Sequence, residues 1–250
     1  MIEIKNVNSG YGKKEVLHSV SAELEKGNLT SIVGVNGCGK STLLKTLVGV
    51  LPLKSGKIIA DGEDISRLGD KERAKKIAYL AQGRTAPEMT VGEMVLHGRF
   101  PHLNYPRRYS ENDKSVAIEA MDRMGITDLR DTPVSALSGG IRQKAFIAMS
   151  LAQESDYILL DEPTTFLDIS HQLELMRLLR KLADSGRGIV AVMHDLPMAL
   201  RFSDKIAVMR EGEICITDTP EAICSSGIIK EIFGVSVSFD QNDQSYRYDL

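Results

Sequence analysis

The stretch GVNGCGKST, from Gly34 to Thr42, decides the fold of this chain. From Gly34 to Ser41 it fits the pattern G-x-x-x-x-G-K-[ST], and it lies between a predicted strand (LTSIVG, 29–34) and a predicted helix. In that context the glycines let the backbone curl close to phosphate oxygens, and the unpaired amides at a helix start can bind an anion. The stretch therefore predicts a phosphate-binding P-loop rather than a glycine-rich turn that binds nothing.

The residue types of this loop determine the contacts that we expect from it. Lys40 is expected to reach the β- and γ-phosphates, Ser41 to ligate Mg²⁺, and Thr42 to approach the α-phosphate. Cys38 is interpreted as a small residue tolerated in the loop rather than as a redox switch. The other loop positions expected to contact the nucleotide are Gly34, Asn36, Gly37, Cys38 and Gly39.

Two carboxylates follow a second apolar strand, YILLD (157–161). Ligands bind at the carboxyl ends of the strands in open α/β sheets, so Asp161 and Glu162 are expected beside the P-loop. Asp161 is expected to hold Mg²⁺ through water, and Glu162 to orient or deprotonate the attacking water. The alternative is that both acids merely cap the next helix, but Pro163 and the buried strand favour the catalytic interpretation.

Two polar side chains end further apolar strands in the same way. For His194, which ends GIVAVMH, we expect a contact with the γ-phosphate, although a lone histidine is more often structural. For Gln82, which ends IAYLAQ, we expect a contact with Mg²⁺ or with the attacking water. These two residues complete a predicted catalytic set together with Lys40 and Glu162.

The order of the predicted elements indicates an α/β fold. We predict a P-loop NTPase (RecA-like) core with a mixed sheet, formed by residues 1–87 and 156–250, and an inserted α-helical subdomain at 88–155. Local signals also predict a hairpin around Asp61-Gly62, a capping box at Thr90 and Glu93, and an N-cap at Ser110. Further along the chain, they predict a short helix that starts at Thr219 and Pro220, and an edge strand that carries Val235, Val237 and Phe239. The helix that follows the P-loop is expected to include Leu51 and to be stopped by Pro52.

Composition narrows the classes of partner. The chain has 250 residues, 42% of them hydrophobic, and a formal net charge of −3, so electrostatics gives no reason to expect nucleic acid as a partner. Its apolar runs are too short to span a membrane, and MIEIKNVNSG at the start lacks a signal peptide's basic and apolar regions. We therefore expect a protein that stays in the cytosol or docks to a membrane from that side. The three scattered cysteines predict neither a zinc site nor a disulfide framework.

A second glycine-rich stretch, LSGGIRQK (137–144), lies about a hundred residues after the first. Ser138, Gly139 and Gly140 stand at the start of a predicted helix, where backbone amides and the helix dipole favour an anion. An ordinary serine N-cap followed by flexible glycines would have the same spacing. The spacing alone leaves both interpretations open.

Several motifs, taken together and in chain order, resemble those of the ATP-binding cassette (ABC) ATPases. The resemblance covers nearly the whole chain and rests on GVNGCGKST, Gln82, LSGGIRQ, YILLDEP, the Leu167-Asp168 turn and His194.

This resemblance implies an ATPase that works as a head-to-tail homodimer, with each ATP between the P-loop of one chain and the LSGG segment of the other. It also implies that Tyr11 stacks on adenine and that Asp168 lies at the dimer interface. Ile141 departs from the pattern, because family members often have glutamine there.

GRFPH (98–102) and DEPTTFLDISHQLEL (161–175) further resemble the ABC ATPases that power bacterial uptake of iron–siderophore complexes, haem and cobalamin. This resemblance implies an iron-chelate importer with two integral-membrane permease subunits, an external substrate-binding protein and a location on the cytoplasmic face of the membrane. The segment Glu93–Leu103 is expected to form the groove for a permease's cytoplasmic helix. By the same comparison, His171 is a family residue rather than a catalyst.

Three alternatives remain at this point: a haem, cobalamin or other importer, a cytosolic ABC ATPase without permeases, and a P-loop phosphotransferase. The single cassette and the lack of sustained heptads argue against the second, and the LSGG segment argues against the third.

Overall fold

The protein is described by a computed structural model, in which residues 1–83, 86–240 and 245–249 are described. The strands are β1 (Ile2–Tyr11), β2 (Lys14–Leu24), β3 (Leu29–Val33), β4 (Leu53–Ala60), β5 (Glu63–Asp64), β6 (Ile77–Leu80), β7 (Tyr157–Asp161), β8 (Gly188–Val192), β9 (Lys205–Arg210), β10 (Glu213–Asp218), β11 (Ser236–Asp240) and β12 (Ser245–Asp249). The α-helices are α1 (Lys40–Leu47), α2 (Asp70–Lys76), α3 (Val91–His97), α4 (Glu111–Arg123), α5 (Gly139–Ala152), α6 (Ile169–Asp184), α7 (Leu196–Phe202), α8 (Pro220–Ser225) and α9 (Ile228–Phe233). Short 3-10 turns lie at Ile65–Arg67, Phe100–His102, Thr127–Leu129 and Val134–Ala136.

The larger sheet has the strand order β10-β9-β3-β8-β7-β6, in which only the β10–β9 pair is antiparallel among the described strands. Every residue of β3, β7 and β8 is buried, as expected for parallel strands covered on both faces. The carboxyl ends of these strands therefore lie at one edge of the sheet. This mixed sheet, surrounded by helices, confirms the predicted α/β class.

The smaller sheet is antiparallel, with the order β2-β1-β4-β5, and contains the predicted hairpin at Asp61-Gly62. The strand β2 has 11 residues, but its sequence does not alternate as a regular strand does. The reason is an irregular register between β1 and β2, with Ser19 at φ 48°. It places the buried Leu17 and Val20 three residues apart, which hides the period of two.

The end of α1 was predicted wrongly. The helix ends at Leu47, and neither Leu51 nor Pro52 defines its end. Gly49 adopts a left-handed φ of 77°, and the amide of Leu51 donates to the carbonyl of Lys45 at 3.1 Å. This glycine-based ending satisfies a last-turn carbonyl before the proline is reached.

The elements described between β6 and β7 are all helical, and both predicted N-terminal signals are confirmed. Thr90 and Glu93 form a capping box on α3, and Ser110 forms one with Asp113 on α4. The helices share one apolar core with the sheet, which joins Val95, Met121 and Ile147 to Leu29, Ile158 and Ile189. The boundaries at 88 and 155 remain a prediction.

Within the described residues, no helix is both long enough and apolar enough to cross a membrane.

The C-terminal part consists of two short helices, α8 and α9, and a hairpin formed by β11 and β12. Thr219 caps α8 with Pro220 at the first turn, as predicted. The predicted edge strand is β11, but it starts at Ser236, after Val235, and pairs with β12 in a two-stranded sheet.

Candidate active site

The P-loop joins β3 directly to α1 at the edge where the parallel strands end. Gly34, Asn36, Gly37, Cys38 and Gly39 all lie in this loop. The first turn of α1 has neither a side-chain cap nor an acidic residue. Its free amides and the positive end of its dipole therefore favour an anion in the loop.

Lys40 is folded back into the loop. Its Nζ donates to the carbonyls of Gly34 at 2.8 Å and Val35 at 3.0 Å, and the residue is only 6% exposed. The ammonium is therefore held within the P-loop by two backbone oxygens. Thr42 is also buried, in the first turn of α1.

Cys38 lies beside the same ammonium, with Sγ 3.9 Å from Lys40 Nζ. Burial raises the pKa of the Cys38 thiol, although the nearby lysine opposes this effect. The thiol therefore stays protonated near neutral pH, which disfavours a redox role.

Ser41 and Asp161 bring the P-loop and β7 together. Ser41 Oγ donates to Asp161 Oδ1 at 2.9 Å, and the hydroxyl of Tyr79 donates to Oδ2 at 3.3 Å. Asp161 is 3% exposed. Burial raises the pKa of its carboxyl, and the hydrogen bonds from Ser41 and Tyr79 only partly offset this. Sequence reasoning missed Tyr79, although its place beside YILLD in a parallel sheet was the available signal.

Glu162 is the meeting point of three chain segments. Its Oε1 contacts Nε2 of His194, and its Oε2 accepts hydrogen bonds from Nε2 of Gln82 and, at 3.2 Å, from Oγ1 of Thr165. The Glu162 side chain is 12% exposed and that of His194 is 42% exposed. The structure thus joins the predicted residues Gln82, Glu162 and His194, and adds Thr165, which the sequence analysis did not identify.

The backbone of Glu162 is in an uncommon conformation. Its φ is 52°, in the left-handed region, and its amide donates to the carbonyl of Val192 at 3.2 Å. A non-glycine residue in this region is strained, and such strain concentrates at functional sites. Here the conformation accompanies the abrupt turn that follows β7.

The donors around Asp161 fit Mg²⁺. The Ser41 hydroxyl and the Asp161 carboxylate are hard oxygen ligands, and Gln82 turns its amide nitrogen to Glu162, which leaves its amide oxygen as a further ligand. In the described ranges no three His, Cys, Asp or Glu side chains form a metal-binding cluster. Mg²⁺ usually takes one or two carboxylates and completes its shell with phosphate oxygens and water.

Ser138 occupies the N-cap position of α5, but its side chain forms no capping hydrogen bond. The residue is exposed, and the first turn of α5 contains no acidic residue. The hydroxyl and the helix amides are therefore available to a ligand, which favours the phosphate-site interpretation over the ordinary cap. A cleft of about 110 Å³ adjoins this helix start; its lining residues include Gly139, Arg142, Gln82, Asp161 and Glu162.

Gly140 packs tightly against His171 of the same chain. A Cβ added at Gly140 would lie 2.4 Å from Cδ2 of His171. Asp168 fixes this imidazole, since it accepts hydrogen bonds from the His171 amide at 3.0 Å and from Nδ1 at 2.8 Å. The backbone hydrogen bond, together with those from Ser170 and the His171 ring, lowers the pKa of Asp168 far below its usual range. The LSGG segment and the Asp168 turn are thus one packed unit.

Exposed apolar side chains flank this unit, and an exposed aromatic side chain ends β1. Phe166 is 92% exposed and Ile169 is 73% exposed, on either side of Asp168. Tyr11, at the end of β1 opposite Lys14, is 48% exposed. Much of the Tyr11 ring is therefore free to pack against a ligand.

Comparisons with known proteins agree with this architecture. A family model described as "ABC transporter" matches residues 17–165. The ferric enterobactin transport ATP-binding protein FepC of Escherichia coli (strain K12) is 44% identical over 228 residues, covering 90% of this chain and 84% of that relative. The iron(3+)-hydroxamate import ATP-binding protein FhuC of Bacillus subtilis (strain 168) is 38% identical over 228 residues, covering 90% and 85%. The dimeric post-hydrolysis state of the ATP-binding cassette MJ0796, bound to ADP and Pi, has a TM-score of 0.75 at 28% identity, covering 88% of this chain and 99% of that one.

Proposed function

Because the chain belongs to the ABC transporter family, we propose that this ATPase is the ATP-hydrolysing subunit of an importer for an iron–siderophore complex. The observation that carries the catalytic part is the convergence of Gln82, Glu162 and His194 beside the Ser41–Asp161 pair. The choice of cargo is supported by the resemblance to the ferric enterobactin and iron-hydroxamate ATP-binding proteins.

Hydrolysis is proposed to use Glu162 as the general base. A water placed between the γ-phosphate and the Glu162 carboxylate would lose its proton to that carboxylate as it attacks the γ-phosphorus; the bond from this phosphorus to the oxygen of the β-phosphate would break, and ADP and phosphate would leave. Gln82 and Thr165 orient the carboxylate through hydrogen bonds, and His194, beside Glu162, would contact the γ-phosphate. Lys40 would offset the negative charge on the β- and γ-phosphates.

Ser41, Asp161 and Gln82 are the residues proposed to hold Mg²⁺. When bound, the ion neutralises charge on the β- and γ-phosphates and helps to align them. Tyr79 and Ser41 hold the Asp161 carboxylate in place from two sides. Thr42 and the P-loop amides would position the remaining phosphate oxygens, and the exposed Tyr11 would stack on the adenine.

The active form is proposed to be a homodimer in which each ATP is shared. Ser138, Gly139 and Gly140 would contact the ATP held by the partner's P-loop, with Asp168 at the same interface. The uncapped start of α5 and the exposed Phe166 support this arrangement, as does the dimeric form of MJ0796. The Ile141 side chain packs against the core, so it leaves the backbone amides of Ser138, Gly139 and Gly140 available for contact with ATP.

A groove between α3, α5 and residues that precede α3 is the proposed site for a permease helix. Its volume is about 540 Å³ and it is lined by Gly83, Pro87, Met89, Met94, His97, Phe146 and Met149. Methionine-rich apolar grooves suit an amphipathic helix. It overlaps the expected segment Glu93–Leu103. The importer proposal also implies two permease subunits, an external substrate-binding protein and a location on the cytoplasmic face of the membrane.

The decisive experiment identifies the membrane partners and the cargo. The tagged chain is purified from its native cells in mild detergent, and the complex is reconstituted in vesicles with its binding protein. We expect two permease subunits to co-purify and a ferric siderophore to stimulate ATP hydrolysis and to be taken up. Stimulation by haem or cobalamin alone would contradict the cargo, and a chain that purifies without membrane subunits would contradict the importer.

A further inference from the structure

The segment GRFPH, residues 98–102, is not part of the catalytic account, yet it contacts the carboxyl end of α5. The last carbonyls of a helix have no partner within it. Arg99 Nη1 donates to the carbonyl of Ala152 at 2.7 Å, and His102 Nε2 lies 2.9 Å from the carbonyl of Gln153. Because a carbonyl only accepts, the His102 ring nitrogen donates. Two side chains of this segment therefore cap the end of α5.

Gly98 brings the same segment into direct contact with α5. A Cβ added at Gly98 would lie 2.1 Å from the carbonyl oxygen of Met149 and 3.1 Å from Cβ of Ala152. Only glycine allows this approach. The end of α3 is thus packed against the last turn of α5 with no intervening side chain.

Two carboxylates also hold the guanidinium of Arg99 in place. It is 4% exposed, its Nε donates to Asp113 Oδ1 at 3.0 Å, and its Nη1 contacts Glu154 Oε2 at 2.6 Å. Asp113 belongs to the capping box of α4. A buried guanidinium with two carboxylates and a carbonyl has little freedom to move, so α3, α4 and α5 are held together at this point.

Gln153 extends the connection to the sheet. Its Nε2 donates to the carbonyl of Ile77 at 3.2 Å and also to that of Ala74. Ile77 begins β6, and this strand leads to Gln82 beside Glu162. The carboxyl end of α5 is therefore tied to the strand of Gln82, while its amino end is the LSGG segment.

We propose that Arg99 and His102 are positioning residues that couple α3 to both catalytic segments. By capping α5 they make the helix a rigid connector of 14 residues between the permease-facing α3 and Ser138–Gly140. The inference rests on the proposed function in one respect: the groove proposed for the permease is lined by the same α3 and α5, through Met94, His97 and Met149.

Hydrogen exchange of the full chain tests this coupling without the permease. His102→Leu removes the cap, His102→Gln restores an amide donor at a similar reach, and Ser226→Ala is the matched control. Ser226 Oγ donates to the carbonyl of Ile223 at the end of α8, away from the site. In His102→Leu we expect the hydrogen-bonded amides at 142–146 and 78–80 to exchange about two- to tenfold faster, because losing one hydrogen bond changes the local opening equilibrium by about that factor. His102→Gln and Ser226→Ala should match the parent there.

Steady-state kinetics supply the second measurement. In His102→Leu we expect a lower kcat with little change in the KM for ATP, because the P-loop is untouched, and recovery in His102→Gln. The proposal is overturned if faster exchange in His102→Leu is confined to 149–154, or if His102→Gln behaves like His102→Leu. A parent chain that did not hydrolyse ATP would refute the proposed function but would leave the exchange comparison valid.

Discussion

Nε2 of His194 contacts Oε1 of Glu162, although the two residues follow different strands, β8 and β7. Gln82, which follows β6, donates to the other oxygen of the same carboxylate. The order β8-β7-β6 within a parallel sheet makes this meeting possible, because it aligns three strand ends at one edge. The site is therefore a consequence of strand order as much as of residue type.

Glu162→Gln should separate nucleotide binding from hydrolysis. The amide keeps the size of the side chain but cannot accept the proton of the water, so kcat should fall roughly 10²- to 10⁴-fold. ATP affinity should be retained and ATP-bound dimers should accumulate, as measured by gel filtration with radiolabelled ATP. Normal steady-state hydrolysis in this variant would exclude Glu162 as the base.

Ser41→Ala and Asp161→Asn should raise the Mg²⁺ requirement of hydrolysis. Each removes a proposed ligand or its charge, while the P-loop amides remain, so nucleotide binding in EDTA should change little. Tyr79→Phe is the control, because it removes the 3.3 Å hydrogen bond to Asp161 but leaves both proposed ligands in place. We expect at least a roughly tenfold higher Mg²⁺ concentration at half-maximal rate for the first two variants. Equal shifts in all three variants would contradict the ligand assignment.

Gly140→Ala should destabilise the isolated chain, whereas Gly139→Ala should not. The new methyl at 140 would meet His171 at 2.4 Å, while at 139 the nearest side-chain atom is 3.9 Å away. Overpacking of this kind costs about 1–3 kcal/mol, measurable by urea unfolding. His171→Ala should remove the conflict, so the double variant with Gly140→Ala should recover most of the loss. A double variant no more stable than Gly140→Ala alone would show that His171 is not the obstacle.

Asp61→Asn should flatten the acid dependence of stability. Although burial disfavours its charged form, hydrogen bonds from Lys26, the amino terminus and Tyr157 lower the pKa of Asp61 to about 2. A lowered pKa stabilises the fold above the unfolded value of about 4, and this contribution is lost as the pH falls toward 2. Because Asp61 is partly exposed, we expect a difference of about 1 kcal/mol at pH 7 that disappears near pH 2. An unchanged difference between pH 7 and pH 2 would contradict this assignment.

The sequence was sufficient to predict the P-loop, the α/β class and the position of Gln82, Glu162 and His194 after strand ends, because these depend on local motifs and on buried apolar strands. It could not predict the end of α1, where Gly49 acts before Pro52. A glycine and a proline, each able to end a helix, lie close together there. The backbone hydrogen bonds of the folded chain show which of the two ends α1. The bulged register of β2 was hidden for a related reason, since it breaks the alternation that marks a strand.

Two of the contacts that the sequence did not reveal join residues that are distant in the chain. Tyr79 on β6 donates a hydrogen bond to Asp161 on the neighbouring strand β7. His171 packs against Gly140, which lies 31 positions earlier in the sequence. Neither contact leaves a local pattern in the sequence. Arg99 and His102 were recognised only as part of a family resemblance, and their capping of α5 became visible once α3 and α5 were placed together.

The central claim, that each ATP is shared between two copies, is tested most directly by complementation. Both chains carry Glu162→Gln to prevent turnover; one also carries Ser138→Arg and the other Lys40→Ala. In a mixed dimer the shared arrangement leaves one complete site, formed by the P-loop of the first chain and the Ser138 segment of the second. We predict one occluded ATP per mixed dimer, bound to the Ser138→Arg chain. Mixed dimers that occlude no ATP, as expected if each chain used its own Ser138 segment, would contradict the account.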